Sequence, residues 1–415
     1  MSGRREPGWT GLRVEVEVGP VAHGGHCVAR HDGRVLFVRH ALPGELVVAE
    51  VTEDRGGSFC RADAVEVLRA APSRVDPVCP HAVPGGCGGC DWQHADPGEQ
   101  RRLKAAVVAE QLARLGGIDV DVEVEELPGG SLDWRTRARL AVDDDGRAGF
   151  RAHRSHRVVP VAGCPIAAPG TVDVVVGRTW TPGAELAVAV DADAHSHVTE
   201  SPPASGRHRP RPRRVFGAAV ARERAARREW DVDPHGFWQV HPDAADVLVE
   251  VVEQWADAPA GGVAWDLYSG VGLFASVLAG QVGPLGTVCA VESAGAATRD
   301  CASNLADHAQ VRTVTGRVDD VLARGDLPAP DVVVLDPPRK GAGRDVVTAI
   351  AAAAPPVVIY VACDPAALAR DVATFAERGY PLAALRAFDA FPMTHHVECV
   401  ALLRDVRVTP RPDAR

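Results

Sequence analysis

The sequence contains no unbroken apolar run of the length that a membrane-spanning helix requires. Its longest apolar stretch, Val346–Cys363, is interrupted by Pro355-Pro356, which favours a helix followed by a buried strand. Residues 1–14 include arginines but no apolar run behind them, so neither a secretory signal nor an anchor is expected. We therefore predict a cytoplasmic protein that does not contact the membrane.

Lysine is almost absent, and positive charge is not in excess. Only Lys104 and Lys340 are lysines, and the 415 residues carry a formal net charge of −10. This charge argues against a surface wholly devoted to nucleic acid, because neutralising phosphates needs local positive charge. The exception is Arg207–Arg228, with nine arginines against the single acid Glu223. That segment is either a solvated linker or a phosphate-contacting element.

The composition and length indicate a globular protein of two or three domains, with 46% hydrophobic and 24% charged residues. Short alternating runs over residues 10–70, separated by glycine-containing turns, predict an OB-like β-barrel of five strands. Residues 71–235 follow as a small central domain. It includes a helix over about 97–115 that ends at Gly116-Gly117 and is expected to pack on the third domain, residues 236–415.

The third domain reads as a doubly wound, Rossmann-like α/β sheet, because unbroken apolar strands alternate with helical stretches. The predicted strands are 263–268, 287–291, 332–335, 357–362 and 397–403. Ligands of such sheets bind at the carboxyl ends of the strands.

A nucleoside cofactor is indicated at the end of the first of these strands. The segment Asp266–Phe274 contains a glycine turn that lets the backbone approach a ligand closely. Glu292 ends the next strand, where a carboxylate can bridge two ribose hydroxyls. Because the turn lacks the third glycine of the dinucleotide fingerprint, S-adenosylmethionine fits better than NAD.

Three further motifs follow strands of the same sheet or lead into them. Asp336 begins the rigid corner Asp336–Arg339, which contains two prolines and is either structural or part of an active site. Cys363 lies between a strand and a helix N-terminus, a position expected to lower the pKa of a thiol and to yield a nucleophile. Glu398 enters the last strand among apolar neighbours, so it is either paired in the fold or a general base.

Four cysteines have a spacing that suits a metal centre. Cys79, Cys87 and Cys90 share one glycine-rich loop, and Cys164 lies far along the chain. In a protein that is not secreted, disulfides are a poor default. A zinc ribbon would more often show two C-x-x-C pairs, and only one is present, so an iron–sulfur cluster is favoured over structural zinc.

Taken in order, these segments resemble the RNA uracil-C5-methyltransferase family, the class I S-adenosylmethionine-dependent enzymes that make 5-methyluridine. The motifs that carry this resemblance are Gly236–Val240, Tyr360–Pro365 and Phe391–Glu398. The resemblance spans nearly the whole chain, and it implies that the N-terminal barrel is a TRAM domain.

The resemblance also implies roles for individual residues. Gln239, Tyr268, Glu292 and Asp336 would contact S-adenosylmethionine, and Cys363 and Glu398 would be the nucleophile and the general base. The four ligands of a 4Fe-4S cluster would be Cys79, Cys87, Cys90 and Cys164.

The implied chemistry follows from the weak nucleophilicity of C5 in uracil. The Cys363 thiolate would add to C6, C5 would accept the methyl group, and Glu398 would then remove the C5 proton. The target uridine must leave its RNA stack to reach the thiolate.

Three positions depart from the family pattern. Asp364 stands where the family usually has asparagine, Leu273 replaces a polar residue of the glycine turn, and the segment that ends at Val318, residues 316–318, lacks the usual polar contact to adenine. These departures bear on cofactor affinity.

Two alternatives stay open: an enzyme that methylates exocyclic amines, suggested by the Asp-Pro-Pro corner, and an RNA-binding protein with a degenerate methyltransferase domain. Within the family, the barrel and the cluster together resemble the enzymes that act on ribosomal RNA more than those that act on transfer RNA. We expect RNA as the partner, no obligate protein partner, and a monomer.

Overall fold

A computed structural model describes residues 8–204 and 211–407 of the chain. These residues form a six-stranded N-terminal sheet, a six-stranded central sheet, a two-stranded ribbon and an eight-stranded C-terminal sheet. No helix in the described ranges is both long enough and apolar enough to cross a membrane.

The N-terminal sheet has the strand order β1-β5-β6-β4-β3-β2. Its alternating sequence places every second side chain inside, as with Val14 and Val16 of the first strand. The sheet has six strands rather than the five expected, because a two-residue strand also pairs at its edge. The strands are β1 Arg13–Glu17, β2 Val21–Ala22, β3 His26–His31, β4 Arg34–Arg39, β5 Leu46–Asp54 and β6 Phe59–Arg69.

Helix α1, Pro97–Gln111, connects this sheet to the rest of the molecule. It begins where the Asp96 carboxylate accepts a hydrogen bond from Glu99 N at 2.8 Å, with proline in the first turn. A π-helical turn, Leu112–Gly116, follows and ends at the left-handed Gly117. The helix packs against the N-terminal sheet through one set of residues and against the C-terminal sheet through another.

The central sheet has the order β10-β9-β8-β11-β12-β13. Its strands are β8 Arg137–Val142, β9 Ala148–Arg151, β10 Val158–Pro160, β11 Glu185–Val190, β12 Ser196–Ser201 and β13 Arg213–Phe216. The two-stranded ribbon consists of β14 Ala221–Ala225 and β15 Arg228–Val232.

The arginine-rich segment lies in β13, in the ribbon and in the turns beside them; Arg207 and Arg209 fall outside the described residues. Several of its arginines form ion pairs within the protein: Arg213 with Glu200, Arg224 with Asp193, Arg227 with Glu253 and Arg228 with Asp307. These pairs favour the interpretation that the segment is mainly structural.

The C-terminal sheet has the order β18-β17-β16-β19-β20-β22-β21-β7. Its first five strands are parallel, and β22 runs antiparallel to both of its neighbours. The strands are β7 Val124–Glu126, β16 Val263–Leu267, β17 Thr287–Glu292, β18 Val311–Thr315, β19 Val332–Leu335, β20 Val357–Ala362, β21 Leu382–Asp389 and β22 Glu398–Arg404. Strand β7 comes from the chain before residue 236 and extends the edge of this sheet.

Helices cover both faces of the C-terminal sheet, as the alternating pattern predicts. One hydrophobic core contains residues of α2 to α4, and a second contains residues of α5 to α7 with the end of α1. The helices are α2 Ala244–Ala256, α3 Leu273–Val282, α4 Gly295–Asn304, α5 Val318–Arg324, α6 Arg344–Ala352 and α7 Pro365–Ala376.

Candidate active site

A cavity of about 800 Å³ lies at the carboxyl ends of the parallel strands. Every position that the sequence assigned to the cofactor lines this cavity, and so does the predicted nucleophile. The residues are Gln239, Tyr268, Glu292, Asp336 and Cys363. Residues from five separate segments therefore meet in one space, where ligands of open α/β sheets bind.

The floor of the cavity is the turn between β16 and α3. Tyr268 adopts a positive φ of 64°, which lets the chain leave the strand sharply. Glu292 accepts hydrogen bonds from Gly270 N at 3.2 Å and from Ala294 N at 2.6 Å, so its carboxylate is fixed at the end of β17. Behind the turn, buried Asp266 accepts a hydrogen bond from Ala275 N at 2.7 Å.

Unsatisfied polar atoms in this turn suit a polar ligand. The buried Ser269 Oγ and Asp266 Oδ1 have no hydrogen-bond partner among the described residues. A buried polar atom without a partner costs free energy unless a ligand or water satisfies it. Of these two residues only Ser269 lines the cavity, so its hydroxyl, together with the Glu292 carboxylate, fits a nucleoside that carries hydroxyl groups.

The predicted nucleophile and base lie side by side at the ends of neighbouring strands. Ala362 and Cys399 are the last partners in the β20–β22 ladder, and Cys363 and Glu398 are their chain neighbours at the same end of the two strands. The two side chains are close enough that the charge of Glu398 raises the pKa of the Cys363 thiol. Cys363 is partly exposed to the cavity, whereas Glu398 is only 4% exposed. Asp336 follows β19, which neighbours β20 in the sheet.

The protonation of Cys363 differs from the expectation. Burial, and then the nearby carboxyl groups of Glu398 and Asp336, raise the pKa of the Cys363 thiol to about 12, while Arg339 acts in the opposite direction. The prediction that this position lowers the pKa of the thiol is therefore wrong for the protein described. The start of α7 does not outweigh lost hydration and two neighbouring acids.

The two acids near the thiol also favour their neutral forms. Burial raises the pKa of Glu398 well above its usual value, and the charge of Asp336 adds to this effect. Burial likewise raises the pKa of Asp336. Each of these three groups therefore ionises less readily than it would in water, because burial and neighbouring negative charge both oppose ionisation.

The four cysteines predicted as metal ligands lie around a second, small pocket. Cys79, Cys87, Cys90 and Cys164 all line it, together with Arg135. The loop that carries the first three is held by Gln93, whose side chain accepts from Cys79 N at 3.0 Å and donates to Cys90 Sγ at 3.2 Å. Residues distant in sequence are thus brought to one place.

This thiol group is not arranged as a site for a single metal ion. In the described ranges, no three or more His, Cys, Asp or Glu side chains are grouped to hold one.

Comparisons with known proteins decide the family. A TRAM domain model matches residues 10–65, and a tRNA (Uracil-5-)-methyltransferase model matches residues 239–406. The chain is 49% identical to an uncharacterized RNA methyltransferase of Streptomyces avermitilis, over 95% of this chain and 98% of the relative. A relative from Streptomyces coelicolor is 48% identical, over 95% of this chain and 93% of its own.

The chain belongs to the RNA uracil-5-methyltransferase family. It is an S-adenosylmethionine-dependent RNA methyltransferase with an N-terminal TRAM domain, as the motifs predicted. The fold agrees, because the methyltransferase is similar to the crystal structure of Pyrococcus abyssi tRNA (uracil-54, C5)-methyltransferase in complex with S-adenosyl-L-homocysteine. That similarity has a TM-score of 0.71 and 22% identity, over 94% of this chain and 100% of the other.

The departures of this methyltransferase from the family pattern have structural explanations. Asp364 caps α7 by accepting from Ala367 N at 2.8 Å, and its other oxygen pairs with His23 of the TRAM domain at 3.0 Å. Leu273 and Val318 line the cavity as mostly buried apolar walls.

Sequence reasoning missed a basic hairpin of the methyltransferase. The turn between β9 and β10 exposes Arg154 and His156 beside a cleft, with Arg151 at the end of β9 and Arg157 just before β10. Arg154 also reaches toward Glu53 of the TRAM domain at 3.8 Å. A count of arginines and histidines over residues 151–157 would have found this cluster.

Sequence reasoning also missed two buried polar residues of α1. Gln100 and Lys104 are both 0% exposed and contact the loop that precedes Glu398. No local pattern signals such a contact, since the partners are more than 280 residues away in sequence.

Proposed function

We propose that this methyltransferase transfers a methyl group to C5 of uridine in RNA, with Cys363 as nucleophile and Glu398 as general base. The observation that carries this proposal is the placement of Cys363, which lines the cofactor cavity, close to the buried Glu398. An enzyme that methylates exocyclic amines has no use for a thiol at this position.

S-adenosylmethionine supplies a methyl group attached to a positively charged sulfur, and Gln239, Tyr268, Glu292 and Asp336 would hold it. The Cys363 thiol loses its proton to solvent, and the thiolate bonds to C6 of the uracil ring. The electron pair of the C5–C6 double bond becomes available at C5, which would take the methyl group as the bond between that group and the sulfonium sulfur breaks and S-adenosylhomocysteine leaves. Glu398 takes the proton from C5, the double bond re-forms, and the bond between C6 and sulfur breaks.

The test of this proposal is methylation of RNA transcripts in vitro, with mass-spectrometric mapping of the modified nucleoside. The wild-type protein should produce 5-methyluridine, and Cys363→Ala should lower the rate by about 1,000-fold or more. Cys289→Ala, at a buried cysteine of β17 outside the cavity, is the matched control and should stay active. Methylation of an exocyclic amine that survives in Cys363→Ala would refute the proposal.

We take ribosomal RNA as the preferred substrate, from the combination of a barrel and a four-cysteine centre, and transfer RNA as the second candidate. The second is supported by the solved relative, which is named as a tRNA enzyme for uracil-54. Mapping 5-methyluridine in both RNA classes from a deletion strain separates the two, because the site that loses its methyl group identifies the substrate.

We further propose that Cys79, Cys87, Cys90 and Cys164 hold a 4Fe-4S cluster. The fit rests on four thiols around one pocket, with the positive charge of Arg135 beside sulfur atoms that would be negatively charged. Gln93 would orient the loop.

Anaerobic purification should give a protein with iron, sulfide and broad visible absorbance. Cys164→Ser should lose iron, sulfide and colour, whereas Cys289→Ser should keep them. A colourless wild-type protein with stoichiometric zinc would contradict the cluster.

A further inference from the structure

The loop between β21 and β22, residues 390–397, delivers Glu398 to the active site. We infer that Gln100 and Lys104 of α1 are positioning residues that fix this loop and so set the place of the Glu398 carboxyl group. The inference rests on the proposed function. Both side chains are fully buried, and one helical turn separates them, so they project from the same face of α1.

Gln100 uses both ends of its amide group. Its Oε1 accepts from Met393 N at 2.7 Å, and its Nε2 donates to Trp92 O at 3.1 Å and Ala95 O at 2.9 Å. Because one end faces an N–H group and the other faces two carbonyl groups, the amide has one favourable orientation. Gln100 thus ties the middle of the β21–β22 loop to the helix.

Lys104 holds the start of the same loop. Its Nζ donates to Asp389 Oδ1 at 2.5 Å and to Phe391 O at 3.0 Å. Replacing a buried ion pair with apolar residues is often neutral or stabilising, so stability alone does not explain keeping this one. The directional contact of Lys104 with the backbone of the loop explains why this ion pair is kept.

A third set of contacts holds the opposite side of the loop. Asp91 N and Trp92 N both donate to Met393 O, at 3.0 and 3.1 Å. The Asp91 carboxylate accepts from His395 N at 3.1 Å and meets His395 Nδ1 at 2.6 Å. Residues 391, 393 and 395 are therefore each anchored, and only two residues separate the last anchor from Glu398.

This arrangement predicts which chemical step depends on Gln100. Glu398 acts after the methyl group has reached C5, when the C5 proton leaves. A displacement of about 1 Å in a catalytic group can slow a reaction by about 100-fold. Loosening the loop should therefore slow proton removal, while the bond between Cys363 and C6 still forms.

The variant that tests this is Gln100→Met, which keeps the side-chain volume and removes the acceptor for Met393 N. We expect kcat to fall about 10- to 100-fold, with the KM for RNA little changed. Unlike the wild-type protein, the variant should accumulate a covalent, methylated protein–RNA adduct on ordinary uridine RNA, visible on a denaturing gel.

The matched control is Gln111→Met, at a second buried glutamine of α1 whose side chain donates to Glu110 instead. It should turn over normally without accumulating adduct. Lys104→Met combined with Asp389→Leu removes both buried charges together, so it should fold, and it should accumulate the same adduct as Gln100→Met.

Two outcomes would overturn the inference. One is a Gln100→Met protein that turns over like the wild type without adduct. The other is a Gln100→Met protein whose rate of adduct formation on 5-fluorouridine RNA falls by as much as its turnover rate, which indicates a general loss of structure. Failure of the wild-type protein itself to form the 5-fluorouridine adduct would instead refute the proposed function, and the inference with it.

Discussion

The thiol of Cys363 lies among groups that favour its neutral form. Its pKa is raised to about 12 by burial and by the carboxyl groups of Glu398 and Asp336. We therefore expect slow oxidation and alkylation at this position in the free protein, because the thiolate is the reactive species. Positive charge that arrives near the sulfur on substrate binding would lower this pKa.

The reactivity of Cys363 in the protein without RNA or S-adenosylmethionine tests whether its thiol is neutral. Alkylation by iodoacetamide should be slow at about pH 7.5 and should accelerate steadily to about pH 9.5, because the thiolate fraction rises with pH. Arg339→Gln should slow it further, since Arg339 lowers the pKa of the thiol. Peptide mass spectrometry measures the rate at each pH.

Fast alkylation at pH 7.5 that does not change with pH would show that the thiol is already ionised, contrary to this account. Lys340→Gln is the control for the arginine variant. It removes the adjacent positive charge on the cavity wall, and we expect it to have the smaller effect.

At the scale of elements, the strands that the sequence predicted best are those with unbroken apolar runs. The bounds of β19 and β20 agree with the prediction at both ends. By contrast, β18 is an edge strand in which no residue is fully buried, so its polar residues interrupt the hydrophobic pattern. Strands β7 and β21 were missed as well, since their pairing depends on segments far apart in sequence.

In the site, too, properties that depend on segments far apart in sequence could not be predicted. Each residue proposed for the cofactor or for catalysis could be found from a sequence motif, whereas Gln100 and Lys104 could not, because their partners lie far away in sequence. The raised pKa of Cys363 could not be predicted in this way. Its causes, Glu398 and Asp336, belong to other strands, and their closeness follows only from the strand order of the sheet.

One contact between elements gives a prediction about pH. His23, in the turn after β2, pairs with Asp364 at the start of α7. The hydrogen bond to Asp364 raises the pKa of His23 above its usual value. Burial raises the pKa of Asp364, but the hydrogen bonds from His23 and from Ala367 N lower it, and the net effect is a lowered pKa.

A histidine with a raised pKa stabilises the fold below its unfolded-state value of 6.5, and this contribution is lost as pH rises through the folded-state value. Asp364 is ionised throughout this range, so only His23 titrates. His23→Ala should therefore lower the melting temperature more at about pH 6 than at about pH 8.5.

His31→Ala is the control for this measurement, because His31 pairs with its neighbour Asp32 within the TRAM domain. Equal losses of melting temperature at both pH values in His23→Ala would show that the pair with Asp364 does not contribute.

At the scale of the whole molecule, the positive charge available for RNA is local. The net charge is −10, and several arginines of the Arg207–Arg228 segment are held in ion pairs. The exposed hairpin between β9 and β10 lies beside the TRAM domain. There Arg151 pairs with Glu185, but Arg154 lies 3.8 Å from Glu53 and Arg157 donates to the carbonyl group of Gly85 rather than to an acid. We expect this hairpin to contact the phosphates of the RNA.

The double variant Arg154→Gln, Arg157→Gln should weaken RNA binding and reduce its dependence on salt. For each phosphate that the variant no longer neutralises, the slope of log K against log salt should decrease by about 0.7 to 0.9. The variant Arg224→Gln, Arg227→Gln removes the same charge from the ion-paired segment and should leave the slope nearly unchanged. Binding isotherms at several salt concentrations measure both, and equal slopes for the two variants would contradict the assignment.

The central claim is that Cys363 bonds to the uracil ring of the substrate. The most direct measurement is to trap the wild-type protein on RNA that contains 5-fluorouridine, with S-adenosylmethionine present, and to identify the linked peptide by mass spectrometry. The account predicts a peptide containing Cys363 joined to a pyrimidine that carries one added methyl group. A methylated RNA product without any adduct, or an adduct on another residue, would contradict it.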